Sequence, residues 1–262
     1  MGRAAPVSRA GGSGLVAAAA PVLRWLWMLA GMTVLALGIR LQVLAGLGLG
    51  PWDVLHMGLS LRLPLTFGQA NQLVGLAVVA VGWALGERPR LGTLANMAYV
   101  GAAYDLIAAR LPLPAPASPA AAWAYLAAGI AVMAAGTGWY LSAGLGAGPR
   151  DGLTLALARR LASRRPAPAG RGRLRGAPGV GPARGLLEGS AALLGFLLGG
   201  PVGPGSVAVV LLMGPAIAAG IARFQFARRW WQPARPAAAA GAVRAWAGPP
   251  AGATAAGEVG RR

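Results

Sequence analysis

The chain has no cysteine, no lysine, a single histidine and only six acidic residues among 262. Without cysteine there are no disulfides or thiolate-held metals, and His56 alone cannot build a histidine cluster, so neither a metal nor a cofactor is expected. All 24 basic residues are arginine, which with the abundant Ala, Gly and Pro reflects a GC-rich coding bias rather than function. Walker-type Gly-Lys, Gly-x-Ser-x-Gly and His-Glu-x-x-His patterns are also absent, leaving ATP-driven transport, serine hydrolysis and zinc proteolysis without support.

What is present is apolar residue in quantity: 56% of the chain is hydrophobic and 11% charged, which is membrane composition. A transmembrane helix needs about 20 mostly apolar residues to cross a core of about 30 Å. Six runs qualify, at 20–45, 68–86, 92–111, 120–142, 185–200 and 205–225, the fifth being short. The first follows Arg3 and Arg9 but outruns the 7–15 apolar residues, roughly, of a cleaved signal, and reads as an uncleaved span. The net charge of +18 raises nucleic-acid binding, which its distribution argues against. With a cytoplasmic N-terminus and six crossings, 21 of the 24 arginines fall inside, Arg62 and Arg110 fall outside, and Arg40 lies within the first span. Arginine-rich loops resist translocation, so the charge orients the protein with both termini cytoplasmic. The expected partner is the lipid bilayer, not nucleic acid.

A nine-residue motif occurs twice, as Ala45-Gly46-Leu47-Gly48-Leu49-Gly50-Pro51-Trp52-Asp53 and as Ala143-Gly144-Leu145-Gly146-Ala147-Gly148-Pro149-Arg150-Asp151. The two copies differ only at Leu49/Ala147 and Trp52/Arg150, and two of the three aspartates in the chain share one motif position. Further on, Gly82 to Gly86 align with Gly195 to Gly199, Gly92-Thr93 with Gly205-Ser206 and Gly101 with Gly214, once 15 inserted residues are allowed after Leu161. The fold expected is therefore an all-α membrane protein of about six transmembrane helices in two three-helix repeats, each with a Gly-Pro-broken helix. Three crossings per half is an odd number, so the repeats have inverted topology, a construction common among secondary transporters. The boundaries expected are a cytoplasmic arm 1–19, repeat 1 at 20–111, an external loop 112–119 and repeat 2 at 120–225. Repeat 2 would carry an Arg/Pro-rich cytoplasmic insertion at 162–183, and a basic disordered tail would follow at 226–262.

Three stretches also resemble a known family. They are Gly-Leu-Gly-x-Gly-Pro-x-Asp in both halves, Glu87-Arg88-Pro89-x-Leu91-Gly92-Thr93-x-x-Asn96, and Glu188 followed by Leu198-Gly199-Gly200-Pro201-Val202-Gly203-x-Gly205. Over about residues 25 to 225 the chain resembles the YczE/YyaS/YitT family of bacterial integral membrane proteins, in its YczE-like branch. Ser206 stands where that pattern has threonine, which keeps a hydroxyl. The resemblance implies a multi-pass protein of the bacterial cytoplasmic membrane, with transport or regulation as the suspected activity.

Candidate site residues are few. Gly46, Gly48 and Gly50 with Pro51, and Gly144, Gly146 and Gly148 with Pro149, suit a chain break followed by a new helix. Asp53 and Asp151 then fall in the first turn of each short helix. There they either accept free backbone N–H groups against the helix dipole, or, if set at membrane level, bind a cation or relay a proton. Glu188 lies four residues after Arg184 and can pair with it on a helix, either as a neutralised mouth group or as part of a transport path. Asp105, before Arg110, reads as a helix-end group. Arg40 either snorkels to the interface or pairs with Asp53. Gly82/Gly86 and Gly195/Gly199 read as GxxxG packing pairs. Trp25, Trp27, Trp123, Trp139, Trp230 and Trp231 read as interfacial belts.

Three functions compete. A small secondary transporter or channel for an unknown solute follows from the inverted repeat and the membrane-level acids. A non-transporting scaffold or regulator would use the arginine-rich insertion and tail to dock anionic lipids or acidic proteins. An intramembrane enzyme would need Asp53 and Asp151 to share a proton; no enzymatic activity is expected.

Overall fold

The computed structural model describes residues 13–163 and 180–231. Most of the arm, the insertion from 164 to 179 and the tail from 232 lie outside the described residues. The rest is helical: α1 Ser13–Ala45, α2 Pro51–Arg62, α3 Phe67–Ala84, α4 Leu91–Arg110, α5 Pro119–Ser142, α6 Pro149–Ser163, α7 Val180–Leu197 and α8 Pro204–Trp231. Two expected boundaries shift. Helix α1 already begins at Ser13, where four consecutive alanines, the best helix formers, extend it before residue 20, and α8 runs to Trp231 through what reads as the start of the tail.

The chain breaks where its sequence says it should. Gly46 and Gly48, with φ of 65° and 104°, and Gly144 and Gly146, with φ of 68° and 152°, hold backbone conformations that L side chains rarely adopt. Pro51 and Pro149 then open α2 and α6, where the missing N–H costs nothing. Thr66 starts α3 with a reciprocal capping box to Gln69, and the Ser118 hydroxyl accepts from Ala121 N at 3.2 Å to start α5. Gly86 and Gly199 do not act as packing glycines. Both lie past their helices at φ of 92° and 91° with open space around them. Each sits in a helix-stopping turn, with Glu87 N donating to Gly82 O and Gly200 N to Gly195 O.

Gly195, the other member of the Gly195/Gly199 pair, does pack closely, on Val54 and Leu55 of α2, and close packing also joins α1 and α5, the pair in most extensive contact. A Cβ at Gly31 would overlap Tyr140, at Gly38 Met133, at Gly129 Gln42 and at Gly136 Leu35. A shift of 98 residues carries Gly31 to Gly129, Leu35 to Met133, Gly38 to Gly136 and Gln42 to Tyr140, so each contact is matched by its counterpart from the opposite helix. Met28, Met32 and Ile39 of α1, Phe67 of α3, Val100 and Tyr104 of α4 and Met133 of α5 fill the core beside this crossing. Helix α4 packs on α1 and α8 on α5, while α2 packs on α7 and α3 on α6. Each motif loop is tied to the start of a long helix. Leu47 O accepts from Gly205 N at 2.8 Å in the first turn of α8, and Ala147 O accepts from Thr93 Oγ1 at 2.8 Å in the first turn of α4.

Of the six runs read as crossings, four correspond to helices long and apolar enough to span a membrane: Ala20–Ala45, Phe67–Ala84, Pro119–Ser142 and Pro204–Ala227. Helices α4 and α7 fall short by composition, because Asn96, Tyr99 and Asp105 interrupt the first and Arg184, Glu188 and four glycines the second. Trp27 and Trp139, read as interfacial, pack on each other with ring centroids 5.1 Å apart, and Trp139 stacks on Phe224 at 5.5 Å. They join α1, α5 and α8.

Candidate functional site

A cavity of about 110 Å³ lies among the eight described helices, α1 contributing Leu35. Helix α2 contributes Trp52 and His56, α3 Asn71, and α4 Asn96. Helix α5 adds Thr137 and Tyr140, α6 Arg150, Asp151 and Thr154, and α7 Arg184 and Glu188. These polar groups are set among apolar side chains, including Leu35, Val78, Met97, Met133 and Ile217. Both Gly-Pro breaks feed it, since the first turns of α2 and α6 present Trp52 and Arg150 to one another. The Arg150 guanidinium carbon lies 5.4 Å from the Trp52 ring centroid, a cation–π distance.

Of the expected site residues, Asp151 and Glu188 line this cavity. Glu188 accepts from Arg184 Nε at 2.7 Å across one helical turn, as its spacing predicts. Asp53 does not line the cavity. It is 4% exposed in α2, with Oδ1 buried and without a hydrogen bond, 3.4 Å from His56 Nδ1. His56 does line the cavity, 2% exposed, and its Nδ1 also lies 3.3 Å from Asn71 Nδ2. His56 thus stands between Asp53 and the open space.

Helices α2 and α6 lie outside the four apolar helices, and their titrating groups respond to burial. Burial pushes the Asp151 carboxyl up; the Arg150 and Arg184 guanidiniums and a backbone hydrogen bond at Gly148 oppose it, and Glu188 adds to it. Burial pushes the His56 imidazole down, against the pull of Asp53, and Arg150 lowers it further. Arg150 therefore acts electrostatically on both walls of the cavity.

The other two candidates lie elsewhere. Asp105 accepts from Thr66 Oγ1 at 2.5 Å and from Gly68 N at 3.0 Å, so it ties α4 to the start of α3 instead of closing its own helix end. Arg40 makes no ion pair with Asp53; its Nε is buried without a hydrogen-bond partner.

Sequence reasoning passed over His56, set aside as a lone histidine, and Arg150, counted only as cytoplasmic charge. Signals for both were present. Asp53 and His56 stand three apart on one helix, and Trp52/Arg150 is the one drastic difference between the motif copies.

Outward-facing leucine, valine and phenylalanine are plentiful on the described helices, among them Leu73, Leu76, Leu193, Phe196, Leu211 and Leu212. With four helices of membrane-crossing length, they define an α-helical membrane protein. The chain belongs to the YczE-like family of membrane proteins. Residues 22–221 match a family of unknown function, DUF6198. The chain is 35% identical over 141 residues to the uncharacterized membrane protein YczE of Bacillus subtilis, an alignment spanning 51% of this chain and 62% of that one. It is 33% identical over 190 residues to an uncharacterized protein of Haemophilus influenzae, spanning 72% and 79%. No solved structure matches the chain.

Proposed function

We propose that this protein is a small secondary transporter built as two inverted three-crossing repeats, and that the cavity around Arg150 and Asp151 holds its solute. The observation that carries this reading is the cavity itself. The starts of both Gly-Pro-broken helices reach it, with Trp52 from α2 and Arg150 and Asp151 from α6, and amide groups of the first half and charged groups of the second converge there, as broken helices of transporters do where they bind solutes.

Several features support a duplicated, inverted frame. The motif loops share positive φ at equivalent glycines, and Gly86 and Gly199 end their helices at nearly the same φ. The contacts of α1 with α5 are exchanged by the 98-residue shift. Helices α4 and α7 would be the third and fifth crossings. Leu91, Leu94 and Leu106 on α4, and Leu186, Leu193, Leu194, Phe196 and Leu197 on α7, face outward as lipid-facing residues would. Six crossings put both termini in the cytoplasm of a bacterial cell, with the protein in its cytoplasmic membrane. The scaffold alternative rests on the arginine-rich segments outside the described residues. The enzyme alternative needs Asp53 and Asp151 around one space, and Asp53 does not line the cavity; the reading is of a carrier without catalytic chemistry.

The test is solute-uptake profiling of the purified protein in vesicles, against Asp151→Asn and Glu188→Gln. Uptake above empty vesicles, lost in at least Asp151→Asn while the melting temperature holds, is the expected result. A wild type that takes up none of a broad panel of small ions, amino acids and organic acids sinks the proposal.

A further inference from the structure

The reading of this cavity as a solute site leaves the chemistry of the solute open, and the inference that follows rests on that reading. We infer that Arg150 is an anion-binding residue and that the cavity takes a small oxyanion, a carboxylate or an inorganic phosphate. The first observation is positional. Within the duplicated motif the only drastic difference is Trp52 against Arg150, and these equivalent residues meet face to face in the cavity. Strict duplication would have placed two tryptophans or two arginines there. The departure supplies one cation and one aromatic platform for it.

The second observation is electrostatic. Arg184 is neutralised by Glu188 at 2.7 Å, whereas Arg150 has no carboxylate within 4 Å among the described residues. Arg150 is half-buried and shares the cavity with Asp151 and Glu188, yet neither carboxylate occupies its N–H groups, which an arriving anion can take. The guanidinium carbon lies over the Trp52 ring at 5.4 Å, and a guanidinium so placed can offer bidentate pairing to carboxylate or phosphate. Asn71 and Asn96 around the cavity add neutral amide donors.

Volume limits the guest. A dry cavity of about 150 Å³ holds benzene, so the roughly 110 Å³ here admits a guest of about four to six non-hydrogen atoms. Acetate and inorganic phosphate both fit that bound. The motif aspartates suggest a cation from sequence alone. The structure removes Asp53 from the cavity and sets Arg150 beside the remaining motif aspartate, Asp151.

The experiment is calorimetric titration of the full chain in lipid nanodiscs with three probes: acetate, inorganic phosphate and choline. Wild type is expected to bind acetate or phosphate saturably, and which of the two it binds identifies the anion source; choline should not bind. Arg150→Gln should weaken the anion at least tenfold. Arg150→Lys, which keeps the charge but loses the fork, should fall between, and it carries the test if Arg150→Gln does not fold. Absence of binding by both anions, equal affinity in the two arginine variants and wild type, or binding of choline alone overturns the inference. Uptake of some other solute by vesicles without anion binding would overturn it while leaving the transport reading intact. Anion binding that depends on Arg150, in vesicles that take up nothing, would instead remove the transport reading and keep the site.

Discussion

Asp105 shows how far the role of a residue depends on what the fold brings to it. It lies 39 positions from Thr66 in sequence, yet it accepts from that residue's hydroxyl and from Gly68 N. A carboxylate bonded in this way holds two helices at a fixed angle. Asp105→Ala should cost about 1–3 kcal/mol, because two charge-assisted bonds are lost and the Gly68 N–H is left without its acceptor. Asp105→Asn should cost less, since an acceptor oxygen remains. Thermal melts in detergent measure both, and uptake by the folded fraction should be unchanged; loss of uptake in stable Asp105→Asn protein would move Asp105 into the solute path. Asp53 presents the opposite case. A buried carboxylate whose Oδ1 has no hydrogen bond gains little from its charge, so Asp53→Asn should change stability by no more than about 1 kcal/mol.

Among elements, the junction of α1 and α5 has no room for added volume at its glycines. Gly38→Ala and Gly136→Ala would each press a methyl group into the backbone or side chain of the facing helix, and overpacking of this kind costs about 1–3 kcal/mol. Gly185→Ala and Gly189→Ala on α7 meet open space and should be neutral or stabilising by up to about 1 kcal/mol, because alanine favours helix over glycine. A melting-temperature series of the four variants separates the pairs. Equal effects at all four would mean that α1 and α5 do not pack through their glycines.

For the molecule as a whole, the number of crossings decides the symmetry. Six crossings put Pro116 outside and Ala169 inside. If only the four most apolar helices crossed and the N-terminus stayed cytoplasmic, the two sites would exchange sides and the halves would run parallel. Reporter fusions at both positions should give outside for Pro116 and inside for Ala169. The reverse result would remove the inverted repeat, and with it the argument by analogy to alternating access.

Much of the fold was legible in the sequence because the signals are local. A Gly-Pro break followed by a carboxylate favours a helix start, so the starts of α2 and α6 follow from Pro51 and Pro149, and the i,i+4 pair of Arg184 and Glu188 follows from helical spacing alone. Long apolar runs likewise determined where the other six helices lie. Tertiary structure alone decided which polar groups share a space. Periodicity cannot say that Asp151 lines the cavity while Asp53 does not, nor that Trp52 and Arg150, 98 positions apart, meet there. It also cannot separate a glycine that stops a helix, such as Gly86, from one that lets two helices touch, such as Gly38. The reason is physical. Helix starts and i,i+4 pairs depend on neighbours along the chain, whereas cavities and close crossings depend on how eight helices fill a common volume, and that packing is set by contacts between residues remote in sequence.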